Sequence, residues 1–147
     1  MNKVLIIDDE DQLRGLLSRI IGLEGYEVFQ ADSCKNGLKQ LALHDPDVVL
    51  CDVRLPDGNG VELIAEIKRT KPLVEVIMLT AHGNIPDGVQ AIKNGAFDYL
   101  TKGDDNNRII PLISRAMDQV AKAKQESQAE IPVDREYSFD TILGSSM

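Results

Sequence analysis

An α/β fold built on an open, five-stranded parallel sheet is what this sequence predicts. Two observations carry the expectation. Five short apolar runs, each rich in branched residues, are separated by stretches whose apolar residues recur every three or four positions. The order strand–helix repeats five times, which calls for parallel strands joined by crossover helices lying on both faces of the sheet.

Val4–Ile7 is the first run and Val48–Val53 the third. Both are apolar without alternation, as strands covered on both faces require. Tyr26–Ala31, Val74–Leu79 and Phe97–Thr101 are the second, fourth and fifth. Between the first two strands, Leu13, Leu16, Leu17, Ile20 and Ile21 form a helical stripe over residues 11–23, with Gly25 as its stop. Ser33 is placed to cap a second helix carrying Leu38, Leu41 and Ala42, and Val61, Ile64, Ala65 and Ile67 mark a third. Val89, Ala91 and Ile92 mark a fourth, from near Pro86 to Gly95. The fifth runs from about Asn107 to about Gln125, where Pro111 requires either a later start or a kink. Ile109, Ile113, Ala116, Val120 and Ala123 are spaced along it as a core stripe that would also suit a helix pair.

These elements give a first domain over residues 1–124. The polar stretch 125–137 has no apolar period and is expected to be a linker, and residues 138–147 open a following domain. With Asp+Glu 24 against Lys+Arg 16 and a net charge of −8, the segment lacks the basic face that nucleic-acid binding needs. Acids end the first apolar run at once and no run is long enough to cross a bilayer, so neither a signal peptide nor a membrane span is expected. Cys34 and Cys51 make neither a disulfide framework nor a zinc spacing, in keeping with a cytoplasmic setting. Cys51 is expected to fill core space, and His44 to lie at the surface.

The chemistry-bearing residues fall where strands end. The first run meets Asp8 and Asp9, the third ends near Asp52, the fourth at Thr80, and the fifth runs into Lys102. Open parallel sheets bind ligands at that edge. Taken singly, paired acids after a strand are more often helix caps or solvated loop charges; it is the coincidence at successive strand ends that marks a site. Clustered carboxylates repel unless a cation sits among them. A hard divalent ion held by oxygens meets that need, and a lysine opposite suits an anionic third participant such as a phosphoryl group. A carboxylate can itself be the nucleophile that takes the phosphoryl group as an aspartyl phosphate.

The stretches "VLIIDDED", "DVVLCDVRLPDGNGVELI", "VIMLTAHG" and "NGAFDYLTK", in this order, resemble the receiver domain of bacterial two-component response regulators over about residues 2–123. The resemblance implies a flavodoxin-like doubly wound sheet of order 2-1-3-4-5 with five helices. It implies a signalling switch that accepts a phosphoryl group from a histidine kinase and catalyses its own transfer and hydrolysis, rather than a turnover enzyme. Residue by residue, Asp52 looks like the phosphoacceptor. Asp8 and Asp9 look like the acidic pair for Mg2+ or Mn2+, Asp9 as direct ligand and Asp8 through a metal-bound water. The backbone carbonyl of Arg54 looks like a further ligand. Thr80 matches the hydroxyl that bonds a phosphoryl oxygen, Lys102 the cation, and Tyr99 the switch aromatic. Arg54 and His82, each two residues past a site residue, are candidates for tuning the lifetime of the phosphoryl group. A homodimer through the face of fourth helix, fifth strand and fifth helix is a further implication.

Two positions depart from the family pattern. Gly103 stands where proline usually follows the lysine, so a trans peptide or a more mobile loop is expected there. Pro111 lies within the fifth helix. The closing "FDTILGSSM" is similar to the opening of the AAA+ module of enhancer-binding transcription activators, although no Walker A loop is present. An alternative of a different class is a degenerate receiver that never takes phosphate and serves only in dimerisation or docking. Two further alternatives are disfavoured by the residues themselves. A flavodoxin-like cofactor binder would need a phosphate-cradling loop after the first strand, and a haloacid-dehalogenase-like phosphatase a second acid where Arg54 stands.

Overall fold

The computed structural model describes residues 2–80, 85–102 and 106–130, without the side chains of 85–88, 106 and 127–130. Its elements in chain order are β1 (Lys3–Ile7), α1 (Asp11–Leu23), β2 (Glu27–Ala31), α2 (Cys34–His44), β3 (Val48–Asp52), β4 (Arg54–Leu55), β5 (Gly58–Asn59), α3 (Gly60–Thr70), β6 (Glu75–Thr80), α4 (Ile85–Lys93), β7 (Asp98–Thr101) and α5 (Asn106–Glu130). The main sheet is parallel, in the order β2-β1-β3-β6-β7. Apart from the small β4–β5 hairpin, which the sequence patterning does not reveal, this is the expected 2-1-3-4-5 order.

Two cores separate along the strands because alternate residues face opposite sides. Leu5, Ile7, Val49, Cys51, Val76 and Met78 pack with Leu41 of α2, Ile64 and Ile67 of α3 and Ala91 of α4. Val4, Ile6, Val48, Leu50, Ile77 and Leu79 pack with Leu17 and Ile21 of α1 and Ile109, Ile113, Ala116 and Val120 of α5. Strands β1 and β3 are buried along nearly their whole length, as their unbroken apolar character requires. The apolar stripe of α5 is therefore a core stripe as far as Val120.

Helix ends follow local chemistry. Ser33 Oγ accepts the Asn36 N–H at the start of α2, and Asn59 Oδ1 accepts the Val61 N–H at the start of α3. Gly25, just past α1, and Gly95, just past α4, adopt φ of 97° and 111°, the left-handed backbone that glycine tolerates best.

Three expectations need correction. Helix α5 continues to Glu130 rather than stopping near Gln125, because residues 121–130 are alanine, lysine, glutamine and glutamate almost throughout. Such residues hold a helix without an apolar period. Pro111 does not delay the start of α5; it sits exposed in the second turn of a helix that already begins at Asn106. His44 is half-buried, stacked on Phe29 with ring centroids 3.8 Å apart. No helix among the described residues is long and apolar enough to cross a membrane.

Candidate functional site

The strand order reverses between β1 and β3, since the chain passes from β1 outward to β2 and then crosses to β3. Ligands of open α/β sheets bind at that switch point, beyond the carboxyl ends of the strands. Asp8 follows β1 directly and Asp52 closes β3, so the sequence sets both acids at this crevice.

Both carboxylates are buried, Asp8 completely and Asp52 at 5% exposure. Asp8 is anchored by its backbone: its N–H donates to the Ala31 carbonyl at 3.0 Å, and its own carbonyl accepts from Arg14 Nη1. Its Oδ1 accepts the Glu10 N–H at 2.8 Å, while Oδ2 is buried without a hydrogen-bond partner. Asp52 Oδ1 accepts the Arg54 N–H at 3.3 Å.

Lys102 closes the site from the end of β7. Its N–H donates to the Thr80 carbonyl at 2.8 Å, fixing the base of the side chain against β6. The ammonium lies 2.8 Å from Asp52 Oδ2, 2.7 Å from Glu10 Oε2 and 3.3 Å from Asp8 Oδ2. One cation thus serves three carboxylates. Burial would lower the pKa of Lys102, but its bonds to Asp52 and Glu10 outweigh burial and hold it above the usual lysine value. Burial, reinforced by the neighbouring Asp8 charge and only partly opposed by Lys102, lifts Asp52 to about 6. Burial likewise raises Asp8. The cluster carries more negative charge than one lysine neutralises, and this chemistry fits a hard divalent cation: clustered oxygen donors, one of which, Asp8 Oδ2, is buried without a hydrogen bond and faces only the shared ammonium.

The structure brings together Asp8, Asp52 and Lys102, which the strand-end pattern singled out, and adds Glu10. Ligand atoms of Asp8, Glu10 and Asp52 lie within 4.8 Å of one another, so the trio could hold a metal ion. Asp9 is exposed and does not belong to that trio. Glu10 was legible only as one member of the "DDED" run; its backbone turn onto Asp8 Oδ1 is what carries it to the site. Thr80 is 1% exposed at the end of β6, with Oγ1 donating a long bond to the Leu100 carbonyl at 3.4 Å. Tyr99 is half-buried against the α2–α3–α4 core, and the Arg54 side chain is exposed. His82 and residues 103–105 lie outside the described residues. Cys51 is buried in the core as expected; burial raises its thiol well above the usual value, and burial with the Asp57 charge pushes Cys34 up to about 11. Neither thiol is suited to nucleophilic work.

A parallel sheet with acids at its switch point and a lysine facing them defines an α/β domain of the doubly wound class with a charged edge suited to a cation and an anionic ligand. The chain matches the response regulator receiver domain family over residues 4–114, and it belongs to that family. It is 39% identical over 132 residues to the transcriptional regulatory protein GlrR of Escherichia coli, covering 90% of this chain and 30% of that protein. To the DNA-binding transcriptional regulator NtrC of Proteus hauseri it is 38% identical over 127 residues, covering 86% of this chain and 27% of that one. Among solved structures, the receiver domain of NtrX from Brucella abortus superposes with a TM-score of 0.75 at 33% identity, covering 78% of this chain and 98% of that one. The beryllofluoride-activated NtrC4 receiver domain dimer does so with a TM-score of 0.76 at 35% identity, covering 82% of this chain and 99% of that one. The chain thus spans about 30% of the length of the curated relatives it matches. Receiver domains of such regulators generally bind Mg2+, are phosphorylated by histidine kinases and can dimerise. The phosphate-independent docking alternative is not favoured.

Proposed function

We propose that this domain accepts a phosphoryl group on Asp52 from a histidine kinase and thereby switches an output domain that regulates transcription in a bacterial cytoplasm. The observation that carries the reading is the convergence of buried Asp52, buried Asp8 and the Lys102 ammonium, which lies 2.8 Å from Asp52 and 3.3 Å from Asp8.

Asp8 and Asp52, with the Arg54 carbonyl, would hold Mg2+ or Mn2+. Glu10 already stands among these acids, and Asp9, exposed one residue before it, would be a further ligand. An ion held there would supply positive charge against the phosphoryl oxygens. A carboxylate oxygen of Asp52 attacks phosphorus in line, the bond to the donor's nitrogen breaks, and Lys102 pairs with a phosphoryl oxygen as charge redistributes. Thr80 then donates its hydroxyl to the phosphoryl group, breaking its long bond to Leu100. Tyr99 fills the space this opens, and the face formed by α4, β7 and α5 changes population. That face exposes Val89 and Ile92 at 46% and 41%, beside the edge strand β7, and is the proposed homodimer surface. His82 and Arg54 remain proposed tuners of phosphoryl lifetime. The domain boundary near residue 124, the linker and a following AAA+ module are likewise proposed. The receiver segment makes no nucleic-acid contact of its own in this reading.

The test is intact mass after incubation with Mg2+ and acetyl phosphate. Wild type is expected to gain one phosphoryl group; chelated samples and Asp52→Asn are expected to gain none. A gain that persists in Asp52→Asn would remove the assignment. Mg2+ alone should also stabilise the fold, by about 2.7 kcal/mol at a hundredfold excess over its dissociation constant, read as a rise in Tm.

The raised Asp52 carboxyl makes a pH prediction. Between 3.8 and about 6 the folded chain binds more protons at Asp52 than the unfolded chain does. Its contribution to stability therefore falls as pH rises through that window, and the full penalty stands above it. Metal-free wild type compared with Asp52→Asn by urea unfolding at pH 4.5 and 7.5 should show the variant gaining relative stability at the higher pH.

A further inference from the structure

We infer that Asp57 is a positioning residue that locks the acceptor loop onto helix α2, and that Mg2+ binding at Asp52 and the order of the α2 N-terminus are coupled through it. The inference rests on the metal-dependent acceptor reading above.

Helix α2 begins with four N–H groups that its own turns cannot satisfy. The Ser33 hydroxyl takes one of them, the Asn36 N–H, at 3.1 Å, while the Ser33 carbonyl takes the Gly37 N–H at 2.8 Å as the first bond of the helix itself. Acceptors for two more come from 22 and 23 residues away. Asp57 Oδ1 accepts the Cys34 N–H at 2.7 Å, and Oδ2 accepts the Lys35 N–H at 2.9 Å. A carboxylate gripping two adjacent amides at the positive end of a helix makes charge-assisted bonds whose two-point geometry fixes direction as well as distance. The amides of Lys35 and Cys34 hold the Asp57 carboxyl below the usual carboxylate range, although the residue is exposed.

Asp57 sits at the turn between β4 and β5, in the loop that leaves Asp52. Arg54 pairs with Asn59 and Leu55 with Gly58 across that hairpin. Arg54 donates its N–H to Asp52 Oδ1, and its carbonyl is the proposed backbone ligand. At the far end, the Gly60 N–H donates to the Val53 carbonyl at 2.6 Å. The hairpin is thus tied at its base to the acceptor strand and at its tip to α2. Contact at the tip is close: a Cβ at Gly58 would lie 3.1 Å from Cys34 Sγ. Freed at the tip, the hairpin would pivot about Val53 and Gly60, which flank its base, and the Arg54 carbonyl would pivot with it. By linkage, whatever the clamp contributes to Mg2+ affinity, Mg2+ returns to the clamp by the same factor.

Isothermal titration with Mg2+, with and without beryllofluoride, and amide hydrogen exchange of wild type, Asp57→Ala, Asp57→Asn and Ser33→Ala test this. Ser33→Ala is the control, because it weakens the same helix start without touching the loop. Asp57→Ala is expected to bind Mg2+ about five- to tenfold more weakly. Asp57→Asn, which keeps one acceptor, is expected to fall between it and wild type, and Ser33→Ala to bind as wild type does. In wild type, Mg2+ should slow exchange of the Cys34 and Lys35 amides; in Asp57→Ala that response should be lost. Equal Mg2+ affinities in Asp57→Ala and Ser33→Ala would overturn the inference while leaving the acceptor reading intact. A wild type that binds no Mg2+ would remove both.

Discussion

Gly60→Ala is expected to destabilise the domain by about 3 kcal/mol and to cripple Asp52 even where the chain still folds. A Cβ at residue 60 would fall on the carbonyl oxygen of Asp52, 2.8 Å from its carbonyl carbon and 3.2 Å from Cys51 Sγ. Neither side can yield. Gly60 is held by its N–H bond to Val53, and Asp52 belongs to a fully buried central strand paired with β6. Relief would have to come from moving the backbone that aims the acceptor carboxylate. Two other glycines give the contrast. At Gly37 the first obstacle is the end of the Ile7 side chain at 2.6 Å, which can rotate, so alanine there should cost about 1 kcal/mol. At Gly15, inside α1, nothing lies within 4 Å, and alanine should stabilise by about 0.5–1 kcal/mol. Urea unfolding of the three variants reads this order directly.

Lys102→Met should have the second large effect, and it should depend on conditions. Methionine keeps the stem but removes the only cation recorded against Asp8, Glu10 and Asp52 among the described residues. At pH 7.5 without metal, the loss should be about 2–3 kcal/mol, at the lower end for a broken buried pair because Glu10 is more than half exposed. The penalty belongs to ionised carboxylates. Asp52 and Asp8 already titrate above the usual range, and losing the lysine raises both further, so the penalty should fade as pH drops through their folded values toward 4. Mg2+ should offset it at neutral pH by supplying the missing positive charge. Phosphorylation by acetyl phosphate should nevertheless slow by about a hundredfold or more, since the metal does not replace a donor aimed at the moving phosphoryl oxygens. A variant as stable as wild type at pH 7.5 without metal would show that the cluster is less charged than its geometry implies.

The fold was legible because its strands are extreme cases. Runs such as Val4–Ile7 and Val48–Cys51 have no polar face to offer, and only a sheet covered on both sides accommodates them. Much of the site was legible for a related reason: strand ends fix where residues emerge, so Asp8, Asp52, Thr80 and Lys102 could be placed at one edge before any contact was known. What escaped depends on details that periodicity does not encode. Glu10 reaches the cluster through a backbone turn onto Asp8, whereas its neighbour Asp9 faces water; two adjacent acids of the same charge look alike in a sequence. Asp57 reads as an ordinary turn residue in "PDGNG", since its partners Cys34 and Lys35 are distant in the chain. The close approach of Gly60 to Asp52 is invisible for the same reason. The last turns of α5 were missed because intrinsic helix preference, not burial, sustains them.

Reducing the phosphorylated chain with borohydride and mapping the modified residue tests the central claim most directly, because it chooses among acids crowded at one edge. The account predicts a single acyl phosphate at residue 52, formed with Mg2+ and absent without it. Modification at residue 8, 9 or 10 instead, or formation of the same adduct in the absence of any divalent ion, would contradict it.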